Sequence, residues 1–151
     1  VIEFGVDFVG GCPHLEPNPE EMIAFILELS RDAGLGIDFH VDETLDGEML
    51  TLIDLAKQVI NTGFPHPVSA SHCVSLGKQS EKIQSEVSKL VAEANISVFA
   101  LPQTNLYLQG REHQEAMPRG LTAIKALIEN GVLVAAGADN VRDPSSAGCA
   151  G

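Results

Sequence analysis

The feature that most constrains this chain is a repeat of pattern rather than of sequence. Five short apolar runs, GVDFVGG at 5–11, GIDFHVDE at 36–43, PVSASH at 67–72, ISVFALP at 96–102 and VLVAAGADN at 132–140, start roughly 30 residues apart, with helical periodicity between them. Each is too short for a helix and rich in Val, Ile or Phe, as strands buried on both faces are. Strands alternating with single helices form βαβ units, whose right-handed crossovers bring every strand C-terminus to one edge of a parallel sheet. The expected fold class is therefore α/β, with about five parallel strands and intervening helices.

The helical segments carry their own punctuation. In NPEEMIAFILELSRDAG, Asn18 is placed as an N-cap, Pro19 occupies the first helical position, acidic residues fill the first turn and Gly34 stops the helix. GEMLTLIDLAKQVINTG puts Met49, Leu52, Ile53, Ala56, Val59 and Ile60 on one face and ends at Gly63. SEKIQSEVSKLVAEAN groups Ile83, Val87, Leu90 and Val91, and RGLTAIKALIENG groups Leu121, Ile124, Leu127 and Ile128 before stopping at Asn130 and Gly131.

Composition narrows the partners such a sheet could serve. The chain has 151 residues, enough for a real core, and is 44% apolar and 20% charged, as soluble globular proteins are. No apolar segment approaches the roughly 20 residues of a membrane span, and no basic and apolar leader opens the sequence, so the expected location is cytoplasmic. With 21 acidic against 9 basic side chains the formal net charge is -12, which repels phosphate backbones and anionic lipid surfaces. Neither nucleic acid nor a membrane is an expected partner, though a neutral nucleobase remains open. Cys12, Cys73 and Cys149 are widely spaced, with no C-x-x-C pair, which suggests neither a disulfide framework nor a cysteine zinc site.

Polar residues gather where the strands end: His14 after the first, His40 and Glu43 after the second, His72 after the third, Asn105 and Gln109 after the fourth, Asp139 and Asn140 after the fifth. A lone strand histidine is ordinarily a hydrogen-bonded structural residue. Here His40, His72 and Asp139 end different strands of one sheet, and imidazole nitrogens with a carboxylate oxygen suit zinc or iron. Glu43, at H-x-x-E spacing from His40, could pass a proton from water to a leaving nitrogen, although Asp42 or Glu43 could equally be solvated loop acids. Small residues in AAGADN let the backbone close on a ligand and bring Asp139 to the tip as ligand or base; the alternative is that Asp139-Asn140 opens a turn continued by Pro144. Asn105, Gln109 and Arg111 offer hydrogen bonds to a polar ring, while His66 and His113 lie off the strand tips and read as surface residues.

HVDE, SASH, NLYLQGR and GADNVRDP, following the second to fifth strands, resemble as a set the second half of a cytosine deaminase-like member of the amidohydrolase superfamily, over nearly the whole chain from DFVGGCPH to VRDP. That resemblance implies a (β/α)8 TIM barrel of which residues 1–144 hold strands four to eight, with 145–151 as a small-residue tail. It implies one divalent metal ion, zinc or iron, and hydrolytic deamination of a pyrimidine-like or triazine-like ring, a small heterocyclic substrate. His40 would be a metal ligand from the fifth barrel strand, and Asp139 the ligand and proton acceptor from the eighth. Glu43 would carry the proton to the ring nitrogen, and His72 would orient the attacking water or lie next to the metal. Asn140, Gln109 and His14 would face the substrate.

Three departures from the family pattern stand in the sequence. The H-x-H pair of the first barrel strand does not occur in these residues; Asn140 stands where cytosine-specific members have a second Asp, as in related triazine hydrolases; and Ser145, not an aromatic residue, follows Pro144. The rival expectations are a catalytically incomplete module whose bare edges are covered by a homo-oligomer or a missing barrel half, and a cyclic amidase that opens a ring C–N bond.

Overall fold

The structure, a computed structural model, describes residues 5–140. The expected tail, with Pro144, Ser145 and Cys149, lies outside the described residues. The elements run β1 (Phe8–Gly11), α1 (Pro19–Ala33), β2 (Gly36–Val41), α2 (Thr51–Thr62), β3 (Val68–His72), α3 (Glu81–Glu93), β4 (Ile96–Ala100), α4 (Pro102–Leu108), α5 (Ile124–Glu129) and β5 (Val134–Ala136), with short 3-10 turns at Pro13–Leu15 and Val74–Lys78.

All four strand pairings are parallel and the spatial order is β1-β2-β3-β4-β5. Among the described residues the order never reverses, so they hold no switch point of the doubly wound kind; the strands form an arc of barrel wall. Helix α1 packs on α2, α2 on α3 and α3 on α5, so they form a continuous outer layer. No helix among the described residues is long and apolar enough to cross a membrane.

The pleat sorts the side chains. Ile37, Phe39, Val41, Ala70 and Val98 are fully buried with Ile23, Leu52, Leu55, Ala56, Val91 and Leu127 in one core. Each large member contributes roughly 1.5–3 kcal/mol through lost water contact. Alternate positions carry a different chemistry: Asp38 pairs in register with Ser69, and His40 with Ser71, which in turn faces Phe99. Phe8 and Phe99 are exposed. The expectation of strands buried on both faces therefore fails for the inner face as described.

The helices begin and end close to where the sequence places them, with instructive exceptions. Gly34 and Gly63 close α1 and α2 with left-handed φ of 71° and 55°. Ser80 caps α3 by accepting from the Ile83 backbone N–H. Asn18 sits at the head of α1 without capping it; its amide nitrogen donates to Glu21 Oε2 at 3.2 Å. Met49 and Leu121 fall before the helices they were expected to join, and Ile83 and Ile128 are exposed, so the buried stripes of α3 and α5 are narrower than expected. His66 is half-buried and meets the Phe64 ring edge-on, 5.5 Å between centroids.

Candidate functional site

The strand tips are shaped by an unusual backbone choice. Asp42 (φ 51°), His72 (φ 71°), Cys73 (φ 48°) and Asp139 (φ 70°) all take the left-handed conformation. That conformation costs a side-chain-bearing residue roughly 1–2 kcal/mol, and such outliers cluster where a site must be built.

His40 leaves β2 on the inner face, half-buried, with Nδ1 2.8 Å from Nε2 of His72 and the two ring centroids 4.9 Å apart. His72 is fully buried at the tip of β3; its Nδ1 lies 2.9 Å from Asn105 Oδ1 and 3.5 Å from Glu43 Oε1, and its Nε2 lies 3.9 Å from Asp139 Oδ2. One donor atom from each of His40, His72 and Asp139 lies within 4.8 Å of the others. Two nitrogens bound to one ion at about 2.1 Å each sit about 2.9–3.4 Å apart, so a cluster of this size and donor chemistry fits one divalent cation. A cleft of about 410 Å³ opens beside it on the inner face, lined by Asp38, His40, Ser71, Phe99, Leu101 and Asp139 among others.

The two loop acids divide. Asp42 is buried, so its reading as a solvated acid is corrected: it accepts hydrogen bonds from Thr51 N (3.0 Å), Thr51 Oγ1 and Leu52 N (3.1 Å), capping the start of α2. Its own carbonyl accepts from Val74 N at 3.0 Å, tying the loop to β3's exit. Burial pushes the Asp42 carboxyl above the ordinary Asp range, against the lowering pull of those hydrogen bonds and of His14. Glu43 remains the acid with a face toward the cluster. Its charge, together with burial as the larger cause, pushes the neighbouring Cys12 thiol up.

A helix stands where the sequence suggested a loop. α4 sets Asn105 against His72, while Gln109, one turn on, donates from Nε2 to the Glu43 carbonyl at 3.1 Å. Thr104 donates to the Ala138 carbonyl at 3.1 Å and receives from Asn140 Nδ2 at 3.2 Å. One short helix thus clasps the tips of β2, β3 and β5. Arg111 lies over the Tyr107 ring at 4.7 Å, and His14 stands outside the His40, His72 and Asp139 cluster, with a buried Nδ1 that has no hydrogen-bond partner. Sequence reasoning missed the cap formed by Asp42, the clasp of Thr104 and the role of Asn105 beside His72. The only available signal was the four-residue spacing of Asn105 and Gln109.

A singly wound parallel arc with its polar side chains gathered at the C-terminal edge is the wall of a (β/α)8 barrel. Residues 2–147 match the profile of the Amidohydrolase family, and the chain belongs to that family. It is similar to a pterin deaminase of Rhizobium rhizogenes, 41% identical over 138 residues, covering 90% of this chain and 31% of that protein. Its fold matches 5-methylcytosine deaminase from Klebsiella pneumoniae, solved with 5-fluorocytosine, at a TM-score of 0.87 and 30% identity, covering 95% of this chain and 36% of that one. The N-isopropylammelide isopropylaminohydrolase of Burkholderia multivorans shares the fold at a TM-score of 0.74 and 23% identity, over 94% of this chain and 34% of that one. The chain therefore spans about a third of the length of these relatives.

Proposed function

We propose that this chain forms the C-terminal part of the catalytic barrel of a metal-dependent hydrolytic deaminase. Its substrate is an amino-substituted pyrimidine-type ring, free as in cytosine, fused as in a pterin, or replaced by a triazine. The observation that carries this reading is the convergence of His40, His72 and Asp139 within 4.8 Å, with Glu43 beside them. Zinc or iron held by His40 and Asp139, with His72 alongside, would supply Lewis acidity that brings the pKa of water toward neutrality. Asp139 accepts a proton from the attacking water. Glu43 delivers one to the ring nitrogen and recovers it from the new hydroxyl as the carbonyl forms, while Asp139 passes its proton to the exocyclic nitrogen, so that the carbon gains an oxygen, the exocyclic C–N bond breaks and ammonia leaves. Asn140, Gln109 and His14 are assigned to the substrate side on the strength of the motifs they belong to, beside a cleft lined by Asp38, Ser71, Phe99 and Leu101.

The bare inner face gives a second element of this reading. Phe8 and Phe99 are exposed, and β1 and β5 each pair on one side only among the described residues. Further barrel strands, or a second copy, close the site and complete the ligand set.

Elemental analysis of the purified protein, beside His40→Ala and Asp139→Ala, tests the metal; ammonia release from pterin, cytosine and aminotriazine tests the reaction. About one zinc or iron per chain, lost in both variants and accompanied by ammonia release, is the expected result. Ring opening without ammonia would make the protein a cyclic amidase, and no metal in the chain alone would make it dependent on the strands that complete it.

A further inference from the structure

We propose that Thr104 is a positioning residue whose hydroxyl clamps the tight turn that presents Asp139, holding that carboxylate where the proposed metal site needs it. The inference deepens that site and rests on its reading for the consequence at the metal, whereas the clamp itself is tested without any metal.

Asn140 N donates to the Ala138 carbonyl at 2.9 Å, which closes a three-residue turn around Asp139, whose φ is 70°. A positive φ spanned by that bond is the rarer and strained form of γ-turn, which persists only where its surroundings over-determine it. Thr104, 1% exposed in the first turn of α4, supplies the further constraint. Its Oγ1 donates to the same Ala138 carbonyl at 3.1 Å, so both lone pairs of that oxygen are taken. The hydroxyl has a single hydrogen, so toward Asn140 Nδ2, at 3.2 Å, it accepts. One side chain therefore holds both neighbours of Asp139, the residue before it by its carbonyl and the residue after it by its amide. Asn140 Nδ2 also stands 3.4 Å from Asp139 Oδ2, so the amide that Thr104 holds meets the carboxylate itself.

A turn that only ended β5 would be served better by glycine, which takes this φ without strain. What an aspartate adds is a carboxylate whose direction the turn sets: its Oδ2 lies 3.9 Å from His72 Nε2, in the cluster that spans 4.8 Å with His40. The helix that carries Thr104 is anchored at the other tips as well, by Asn105 against His72 Nδ1 at 2.9 Å and by Gln109 on the Glu43 carbonyl at 3.1 Å. Thr104 thus ties the Asp139 turn to the same helix that braces the exits of β2 and β3. Residues that hold a ligand in this way without touching the ion change metal affinity by roughly 10- to 100-fold.

The test compares Thr104→Val, which keeps the shape of the side chain and removes the hydroxyl, with Thr104→Ser, which keeps the hydroxyl. Hydrogen exchange of the Asn140 amide in the metal-free protein reads the turn. That amide should be protected in the wild type, exchange about tenfold faster in Thr104→Val, the net worth of one hydrogen bond, and stay slow in Thr104→Ser. Titration with zinc alone reads the positioning: affinity should fall about 10-fold or more in Thr104→Val and return in Thr104→Ser. An unprotected Asn140 amide in the wild type, lost protection in Thr104→Ser, or a zinc affinity unchanged in Thr104→Val would overturn the inference. Should Thr104→Val fail to fold, exchange in the wild type and in Thr104→Ser still decides. A wild-type chain that takes up no zinc would count against a metal site in the chain alone, and the exchange rates would still support or overturn the clamp.

Discussion

The two ends of the sheet use the same backbone conformation for opposite purposes. At the N-terminal end, the turns entering β2, β3 and β4 pass through left-handed residues Gly34, Gly63 and Asn95. These are the residue types that tolerate the conformation best. At the C-terminal end the left-handed positions are Asp42, His72, Cys73 and Asp139. There the fold accepts strain, and of these residues His72 and Asp139 bring their side chains to one point, while Asp42 caps α2 and Cys73 enters the core. The difference separates turns that only reverse the chain from turns that build a site.

The largest expected effect comes from exchanging one end's solution for the other's. Asp139→Gly relieves a left-handed aspartate and removes a carboxylate that is only 15% exposed and stands 3.9 Å from His72 Nε2. The metal-free protein should gain about 0.5 kcal/mol, the strain released less the greater chain entropy of glycine. Metal binding and ammonia release should fall by about 100-fold or more, as for loss of a ligand. Denaturant melts and turnover measured together check both signs. A loss of stability without loss of turnover would place Asp139 with the structural turns.

Asp42 is the intermediate case, a strained residue at the active end whose side chain is structural. Removing a buried helix cap and leaving Thr51 and Leu52 N–H groups unpaired should cost about 2–3 kcal/mol in Asp42→Ala. Its pH signature has a definite sign. Burial raises the folded-state carboxyl above its unfolded value, so the folded state binds the proton more tightly. The resulting contribution is present below the unfolded pKa and is lost as pH rises through the folded one. Asp42→Asn should flatten that part of the stability curve above the ordinary Asp range, as denaturant midpoints would show.

How far the sequence made these ends legible follows from the range of the interactions. Strands at 36–41, 68–72 and 96–100 were readable because burial on the helix side leaves a local apolar signature, while those at 8–11 and 134–136, which hold no buried residue, were readable from their Val and Phe content and spacing. Gly34 and Gly63 were readable because a left-handed stop selects for glycine. The gathering of His40, His72 and Asp139 followed from parallel topology alone, since every strand of such a sheet points the same way. The Asp42 cap was not readable: it reaches nine residues forward to Thr51, and its neighbour Glu43 carries the same charge with a different fate. Nor was α4, whose exposed Leu106, Tyr107 and Leu108 give no buried stripe, and whose purpose is three polar clasps to distant strands.

The smallest effects test whether the N-terminal turns are as indifferent to side chains as their composition implies. A methyl added at Gly63 would meet nothing within 4 Å, so Gly63→Ala should cost about 1 kcal/mol through φ alone and leave turnover unchanged. Asn95, exposed with φ of 53°, is the natural control. Asn95→Gly removes the left-handed cost of a side chain and adds the chain entropy of glycine, two terms of similar size. Its melt should therefore shift by no more than about 0.5 kcal/mol. A loss well beyond that would mean the Asn95 side chain holds something at the bottom of the sheet, and the contrast between a structural end and a functional end would have to be redrawn there.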